Sequence, residues 1–412
     1  MFKKIKMINY RTHIETELEL SDITLLIGSN NSGKTNLLKG INYFSRLVSA
    51  AYPGGRREIT NLYRSHYFPN KHRLIDSDKP IVFSCEWEKE GKKIEYELLI
   101  YVIKDGNIGC KEKVIIHNNS GEKKEILYGH DKPSDRMLLR SNLQNQNLTQ
   151  EEKNITEMFF RSLSSMYYYN FQPGFLKGLA HYNGNAKKKN YLEEFENLNK
   201  FPNIATEIGQ EGSNFIELVR FLKEKDEIGY GKFLGYLKRF VKSFNGIVID
   251  RDIPKWQFDM GENTFPYFES IDVSDGLIKA GAVALLCAMR SPAPVIMIEE
   301  IENGINQKNI SKFLSWLKTV ADGGKNTQFI LTTHSPSVIR EFSDCLENVY
   351  NLHLRAKDYR TLTTNLNDAI KPLVNMGRIK EEDIITRDGK EIVKVSPYEL
   401  TELFYDGILG EL

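Results

Sequence analysis

The sequence predicts an α/β protein in which a mixed, largely parallel sheet carries an antiparallel β-meander and a helical insertion. Three observations predict it. The apolar run Leu25-Leu26-Ile27 leads through a Gly/Asn/Ser-rich stretch into apolar residues at helical spacing, Leu37, Leu38, Ile41 and Phe44. From Ile81 to Leu127 the apolar residues fall at every second position. Beyond residue 245 short apolar strands alternate with helices in "PVIMIEE", "SKFLSWLKTVA" and "QFILTTH", the order of a parallel sheet.

Taken in order, residues 2–27 read as short strands, the last ending in "LLIG", and residues 36–50 as the helix that follows. Between them Gly28-Ser29-Asn30-Asn31-Ser32-Gly33-Lys34-Thr35 is a complete G-x-x-x-x-G-K-[ST] match in strand–loop–helix context. The glycines allow backbone angles and a close approach that a Cβ would block. Successive N–H groups then face phosphate oxygens at the positive end of a helix. Lys34 reaches the β- and γ-phosphates and the Thr35 hydroxyl ligates Mg²⁺. A plain turn would explain Gly and Asn here, but not the lysine and threonine in this order. The loop reads as a nucleotide site.

Residues 52–73 read as a loop rich in Gly, Pro and Arg, and the stretch from Ile81 to Leu127 reads as an antiparallel meander. Residues 130–155 are polar and Asn/Gln-rich and read as a loop, and residues 156–240 carry apolar positions at helical spacing. The expected organisation is a lobe over 1–155, a helical insertion over 156–240 and a second lobe over 241–412.

The 412 residues suffice for two or three lobes. A hydrophobic share of 41%, a charged share of 27% and a net charge of +1 describe an ordinary soluble chain with no global field toward nucleic acid or an acidic membrane. No signal peptide and no run of 18 apolar residues is seen, so a cytoplasmic protein without a membrane partner is expected. Cys85, Cys110, Cys287 and Cys345 are far apart and make no C-x-x-C, which points to reduced thiols rather than a zinc site.

The strand "PVIMI" ends in Glu299 and Glu300. A phosphate loop needs a partner strand that delivers one acid to the Mg²⁺ shell and another to the attacking water, and a carboxylate pair at a strand's end suits both. Glu299 is longer than the Asp common at such positions, which leaves room for a water between it and the metal. The strand "QFILTT" ends at His334, placed to reach a γ-phosphate or the water, and Pro336 opens the next helix. Ser274-Asp275-Gly276 opens a long apolar helix. Ser274 as a helix cap is sufficient for the local structure. The functional reading is that its hydroxyl and the free amides bind the γ-phosphate held by another subunit.

Together these stretches resemble the ABC-type ATPase heads of the SMC/RecF/OLD class, and most of all the stand-alone "AAA family ATPases" of bacterial defence operons. The resemblance rests on "INYRTHIETELELSDITLLIGSNNSGKTNLL", "YYYNFQPGFLKGL", "GQEGSNFIELVRFL", "VSDGLIKAGAVALLCAM", "IEEIENGIN" and "LTTHSPSVI". It implies an ABC-type P-loop ATPase head fold, ATP with Mg²⁺, and ATP hydrolysis. Gly28, Asn30, Asn31, Ser32, Gly33, Lys34, Thr35 and Asn36 lie in or beside its Walker A loop. Glu299 matches a Walker B metal ligand, Glu300 the catalytic base and His334 the switch histidine. Ser274, Asp275, Gly276 and Lys279 match the signature contributed by the partner in a homodimer, with higher oligomers left open. Arg11 matches a basic residue that contacts nucleotide in some relatives, and Gln172 a Q-loop residue, although an "FQPG" turn explains it as well. Ile301, where the family usually has Pro, and Asn306-Gln307, where it usually has His-Pro, depart from the pattern. The chain also lacks a coiled-coil arm and an acidic nuclease domain. "IVIDRD" (Ile247 to Asp252) reads as a head strand rather than nuclease acids.

The function expected from the resemblance is a homodimeric ATPase acting as sensor and scaffold for a separately encoded effector in anti-phage defence. The alternative is a RecF-like repair or maintenance ATPase that binds DNA. A basic cluster, Arg56, Arg57, Arg64, Lys71 and Arg73, would serve the second, or is simply a solvated loop. The lysine run 187–189 reads as a wet linker.

Overall fold

The computed structural model describes residues 1–50, 79–102, 108–117, 123–128, 148–178, 208–250, 253–324, 326–377, 381–387 and 389–405. β1 (Phe2–Tyr10) and β2 (His13–Glu19) pair antiparallel, with Ile5 opposite Leu18 and both buried. On the other face Lys4 and Lys6 reach Glu17 and Glu15 at 2.7 Å, contacts that fix register more than they stabilise. β3 (Ile23–Ile27) is buried at all five positions, the composition of a strand covered on both faces. α1 (Lys34–Ala50) follows the glycine-rich loop. β4 (Ile81–Lys89), β5 (Lys92–Val102), β6 (Ile108–His117) and β7 (Lys123–Tyr128) form the predicted meander, extending a sheet of order β2-β1-β4-β5-β6-β7. Phe44 of α1 stacks on Phe83 and Tyr96 of that sheet, with ring centroids 5.2 and 5.9 Å apart.

α2 (Gln150–Leu163) starts inside the stretch expected to be loop. The reason is a complete capping box: Thr149 accepts from the Glu152 amide, and the Glu152 carboxylate accepts from the Thr149 amide. Its inner face drives Phe159 and Phe160 against Tyr96. β8 (Met166–Tyr169) then interrupts the expected helical stretch. α3 (Pro173–Leu176), α4 (Phe215–Lys225) and α5 (Glu227–Phe240) follow, then the antiparallel strands β9 (Phe244–Asp250), β10 (Ile253–Phe258) and β11 (Tyr267–Glu269). β9 is the "IVID" strand, and Asp250 pairs with Lys255 at 2.7 Å.

α6 (Asp275–Ala288) is buried from Leu277 to Ala288, so its sequence shows no polar face. It packs on α3 and α5. β12 (Val295–Ile298) leads through α7 (Ile310–Asp322) to β13 (Gln328–Thr332). α8 (Pro336–Ile339), β14 (Val349–Arg355), β15 (Arg360–Asn365), α9 (Leu366–Asn375), β16 (Glu381–Arg387), β17 (Lys390–Val395) and α10 (Pro397–Tyr405) complete the order. The second large sheet runs β15-β14-β3-β13-β12-β8. β13 and β14 lie parallel to β3 on either side of it, and β15 is antiparallel to β14. The sheet is therefore mixed, and the α/β architecture with an antiparallel meander expected from the sequence is the one observed.

Two compact units divide the chain. Met1–Tyr168, Ala293–Met297 and Asn326–Leu412 form the first, and Tyr169–Pro292 with Ile298–Lys325 the second. The first contains the glycine-rich loop and the meander; the second contains β9–β11 and α4 to α7. Among the described residues no helix is long and apolar enough to cross a membrane. The cluster Arg56, Arg57, Arg64, Lys71 and Arg73 and the lysines 187–189 lie outside the described residues.

Candidate functional site

The loop from Gly28 to Lys34 is held open by backbone geometry that its sequence dictates. Gly28 has φ +137° and Gly33 φ +106°, and a Cβ on Gly28 would stand 2.1 Å from the Leu352 carbonyl oxygen. Asn31 occupies the left-handed region at φ +67°, which Asn tolerates better than most residues. Ser29, Asn30 and Asn31 are exposed, whereas Ser32, Gly33 and Lys34 are buried. The Lys34 ammonium folds back to donate to the Gly28 and Ser29 carbonyls at 2.8 and 2.9 Å and to Ser32 Oγ at 3.3 Å. Thr35 sits in the first turn of α1, where the helix dipole favours an anion. Asn36 accepts from Arg11 Nη1 at 3.0 Å and donates to Thr12 Oγ1 at 3.3 Å. Arg11, itself at φ +50°, is thereby tied to the helix that bears the loop.

Three braces of this loop escape sequence reasoning. Thr361 Oγ1 donates to the Ser32 carbonyl at 3.0 Å and lies 2.8 Å from Thr12 Oγ1. Leu352 presents the carbonyl that excludes any Cβ at position 28. His13, fully buried, places Nε2 3.1 Å from the Gly33 carbonyl and Nδ1 2.9 Å from Thr16 Oγ1. The carbonyl can only accept, so Nε2 carries the proton and Nδ1 accepts from the threonine.

Burial pushes the His13 imidazole from 6.5 down to about 4, partly opposed by the Gly33 hydrogen bond. In the unfolded chain His13 titrates near its ordinary value, so between those two values only the unfolded state binds the proton. The contribution is complete above pH 6.5 and is lost as pH falls toward 4, by ~3 kcal/mol in total. Urea unfolding of wild type should therefore weaken over this window more than that of His13→Gln. An identical pH slope in both proteins would refute the assignment.

β12 runs directly into Glu299 and Glu300. Glu299 is 8% exposed and its amide donates to the Tyr169 carbonyl at 2.9 Å. Glu300 is exposed, lies at φ +47°, and its Oε2 is 3.4 Å from Asn303 Nδ2. Ile301 is buried at 1%. An apolar side chain at the usual Pro position is therefore packed as core.

Ser274 caps α6, accepting from the Leu277 amide at 3.3 Å, and Ser274 and Asp275 are exposed. Asp275 is held by the Lys177 ammonium at 2.7 Å. Lys177 belongs to the "GFLKGL" stretch, a partner that spacing alone does not reveal. Lys279 is 3% exposed and donates to the Glu300 carbonyl of its own chain. Burial lowers its ammonium to about 8, while Glu302, Glu300 and Glu299 act to raise it. A Cβ on Gly276 would meet the Gly304 carbonyl oxygen at 2.1 Å. Gln172 is exposed rather than buried, and its Nε2 donates to Asn170 Oδ1 at 2.9 Å.

His334 is half-buried, two residues beyond the end of β13, just before Ser335, whose amide donates to Thr333 Oγ1 at 3.0 Å. β3, β13 and β12 are consecutive strands of one sheet, and the glycine-rich loop, His334 and the acid pair follow their respective carboxyl ends. None of the four cysteines is in a disulfide, and the described residues contain no cluster of three or more His, Cys, Asp and Glu able to hold a metal.

The family described as "AAA domain, putative AbiEii toxin, Type IV TA system" matches residues 23–340. Similarity extends to the DNA replication and repair protein RecF of Clostridium tetani (strain Massachusetts / E88), 26% identical over 241 residues. That match covers 55% of this chain and 55% of that protein, so the chain spans about half the length of the curated relative it matches. Among solved structures, an SMC head domain from Thermotoga maritima is 14% identical with a TM-score of 0.43, covering 88% of this chain and 98% of that one. An Smc head bound to the C-winged helix domain of ScpA is 13% identical with a TM-score of 0.47, covering 90% and 99%.

Proposed function

This chain belongs to the AAA-domain family that it matches over residues 23–340, as an ABC-type ATPase of the SMC/RecF class, and from that premise we propose that it hydrolyses ATP as a homodimer. The single observation that carries the proposal is the glycine-rich loop. It has two positive-φ glycines, a buried lysine turned onto the loop's own carbonyls, and a helix N-terminus behind it. On binding ATP, Lys34 exchanges those carbonyls for phosphate oxygens, while the amides of the loop from Gly28 to Gly33 cradle the β-phosphate. Thr35 and Glu299 would be the oxygen donors for Mg²⁺, whose charge would offset that of the phosphates. Glu300 takes the proton of the attacking water and His334 hydrogen-bonds the γ-phosphate. Ser274, Asp275 and Gly276 come from a second copy, because the same chain's loop already holds its own phosphates.

The cellular role follows as a proposal from the family. The protein is a cytoplasmic sensor and scaffold in anti-phage defence that holds a separately encoded effector until a cue arrives. The toxin–antitoxin wording of the matched family agrees with that role. The similarity to RecF favours a second reading, a DNA-binding repair or maintenance ATPase. Gene neighbourhood separates them: a small effector gene beside this one supports the first, replication genes the second.

The shared site is tested by mixing chains. Lys34→Ala and Ser274→Arg are each expected to be inactive. In a mixed dimer one site carries both lesions and the other none, so ATPase activity should return to about a quarter of wild type on random assortment, where each site fires alone. If the sites fire only together, sedimentation of Glu300→Gln with ATP still detects the dimer. A protein that stays monomeric there at micromolar concentration would defeat the shared-site proposal and leave nucleotide binding intact.

A further inference from the structure

The acid proposed as base sits on a backbone that needs holding. Glu300 is one of nine described non-glycine residues at positive φ, a conformation that persists only where neighbours over-determine it. Its carbonyl accepts from the Asn303 amide at 2.9 Å and from the Lys279 ammonium. Lys279 comes from α6, the helix that opens with Ser274-Asp275-Gly276, and its side chain is turned inward. Nearer its N-cap, α6 touches the same loop again at backbone level. Gly276 lies so close to the Gly304 carbonyl that no Cβ fits between them. Helix and acidic loop are thus joined twice within one chain. At 3% exposure, Lys279 reaches a phosphate on another subunit only by abandoning this carbonyl.

We infer that Lys279 is a positioning residue for Glu300 of its own chain. Fixed on the Glu300 carbonyl, it holds the left-handed turn that aims the carboxylate, so that the signature helix and the acidic loop shift as one body. The inference deepens the proposed function and rests on Glu300 being the base. It also gives the signature a second role, because a phosphate engaged by Ser274 on a partner displaces a helix whose lysine grips the acid of the opposite site. Engagement at one site is thereby felt at the other.

The test replaces Lys279 by Met, which fills the buried space without a donor. ATP affinity of Lys279→Met should stay within about threefold of wild type, while turnover falls on the order of 100-fold, the cost of a misplaced reacting group. Lys279→Arg, which keeps a cationic donor, should recover most of it. Lost ATP binding in parallel with turnover, or unchanged turnover, would overturn the inference. If the Met variant fails to fold, Lys279→Gln carries the same comparison. Mixed chains give the second arm. A cis role predicts that Lys279→Met regains activity with Ser274→Arg, because both lesions then fall on one site, and stays inactive with Lys34→Ala. A lysine acting in trans predicts the reverse. The Lys34→Ala and Ser274→Arg mixture is the control for the shared site itself. Should it fail, the dimer proposal fails, and the split between affinity and turnover still decides the role of Lys279.

Discussion

Lys34→Ala should reduce ATP affinity by at least ~30-fold and abolish turnover. Lys34 is 6% exposed and its ammonium makes three contacts inside the loop, so the charge is already desolvated and aimed before nucleotide arrives. Removing one partner of a buried, hydrogen-bonded charge pair costs about 2–5 kcal/mol, which is roughly 30- to several thousand-fold in affinity. Alanine also removes the lysine donor from the Gly28 carbonyl and leaves the Ser29 carbonyl with the Ser32 amide at 3.2 Å. Calorimetric titration with ATP is the measurement, and wild-type affinity in the variant would defeat the assignment of this loop.

Glu300→Gln should separate binding from cleavage. Glutamine keeps the shape and the hydrogen bond from Asn303 but cannot accept the proton of the attacking water. Loss of a general base costs on the order of 10²- to 10⁴-fold in turnover. Affinity for ATP should hold, and the ATP-bound dimer should accumulate because nothing discharges it. Near-normal turnover would move the base elsewhere, with Glu299 the next carboxylate on the same chain. Glu299 is the buried member of the pair and Glu300 the exposed one, which is why the second is assigned to meet water.

The parts of the site that were legible in the sequence are those written contiguously. The residues from Gly28 to Thr35 stand in one run, and the strand before them announces itself by its apolar positions. The acid pair and His334 were legible because each closes an apolar strand. The braces were not. Thr361 and Thr12 are 349 residues apart in the chain, and neither a threonine nor a lone histidine at position 13 carries a spacing signal. They meet only because β14 pairs with β3 and carries β15 to the back of the loop. Lys279 was legible as a member of the signature but not in its direction, since burial of all of α6 beyond Gly276 removes the polar face that would have shown which way it points.

The fold divides the same way. The meander and the parallel strands follow from period and apolar runs. The start of α2 did not, although Thr149 and Glu152 spell a capping box, because the Asn/Gln-rich stretch before it dominates the local composition. β8, four residues "MYYY", disappears within a longer helical periodicity. Its aromatic residues favour a strand, but only the neighbouring β12 settles it.

The placing of β3 has a consequence for the birth of the protein. Both strands that flank it, β13 and β14, are made after residue 327, whereas β3 is complete at Ile27. At about 5–20 residues per second, a ribosome needs roughly 15–60 s to deliver the first of them. For that interval this apolar segment has no lawful neighbour, and a strand of this kind is an open invitation to any other unpaired edge. The strand that leads into the glycine-rich loop therefore waits for partners made about 300 residues after it.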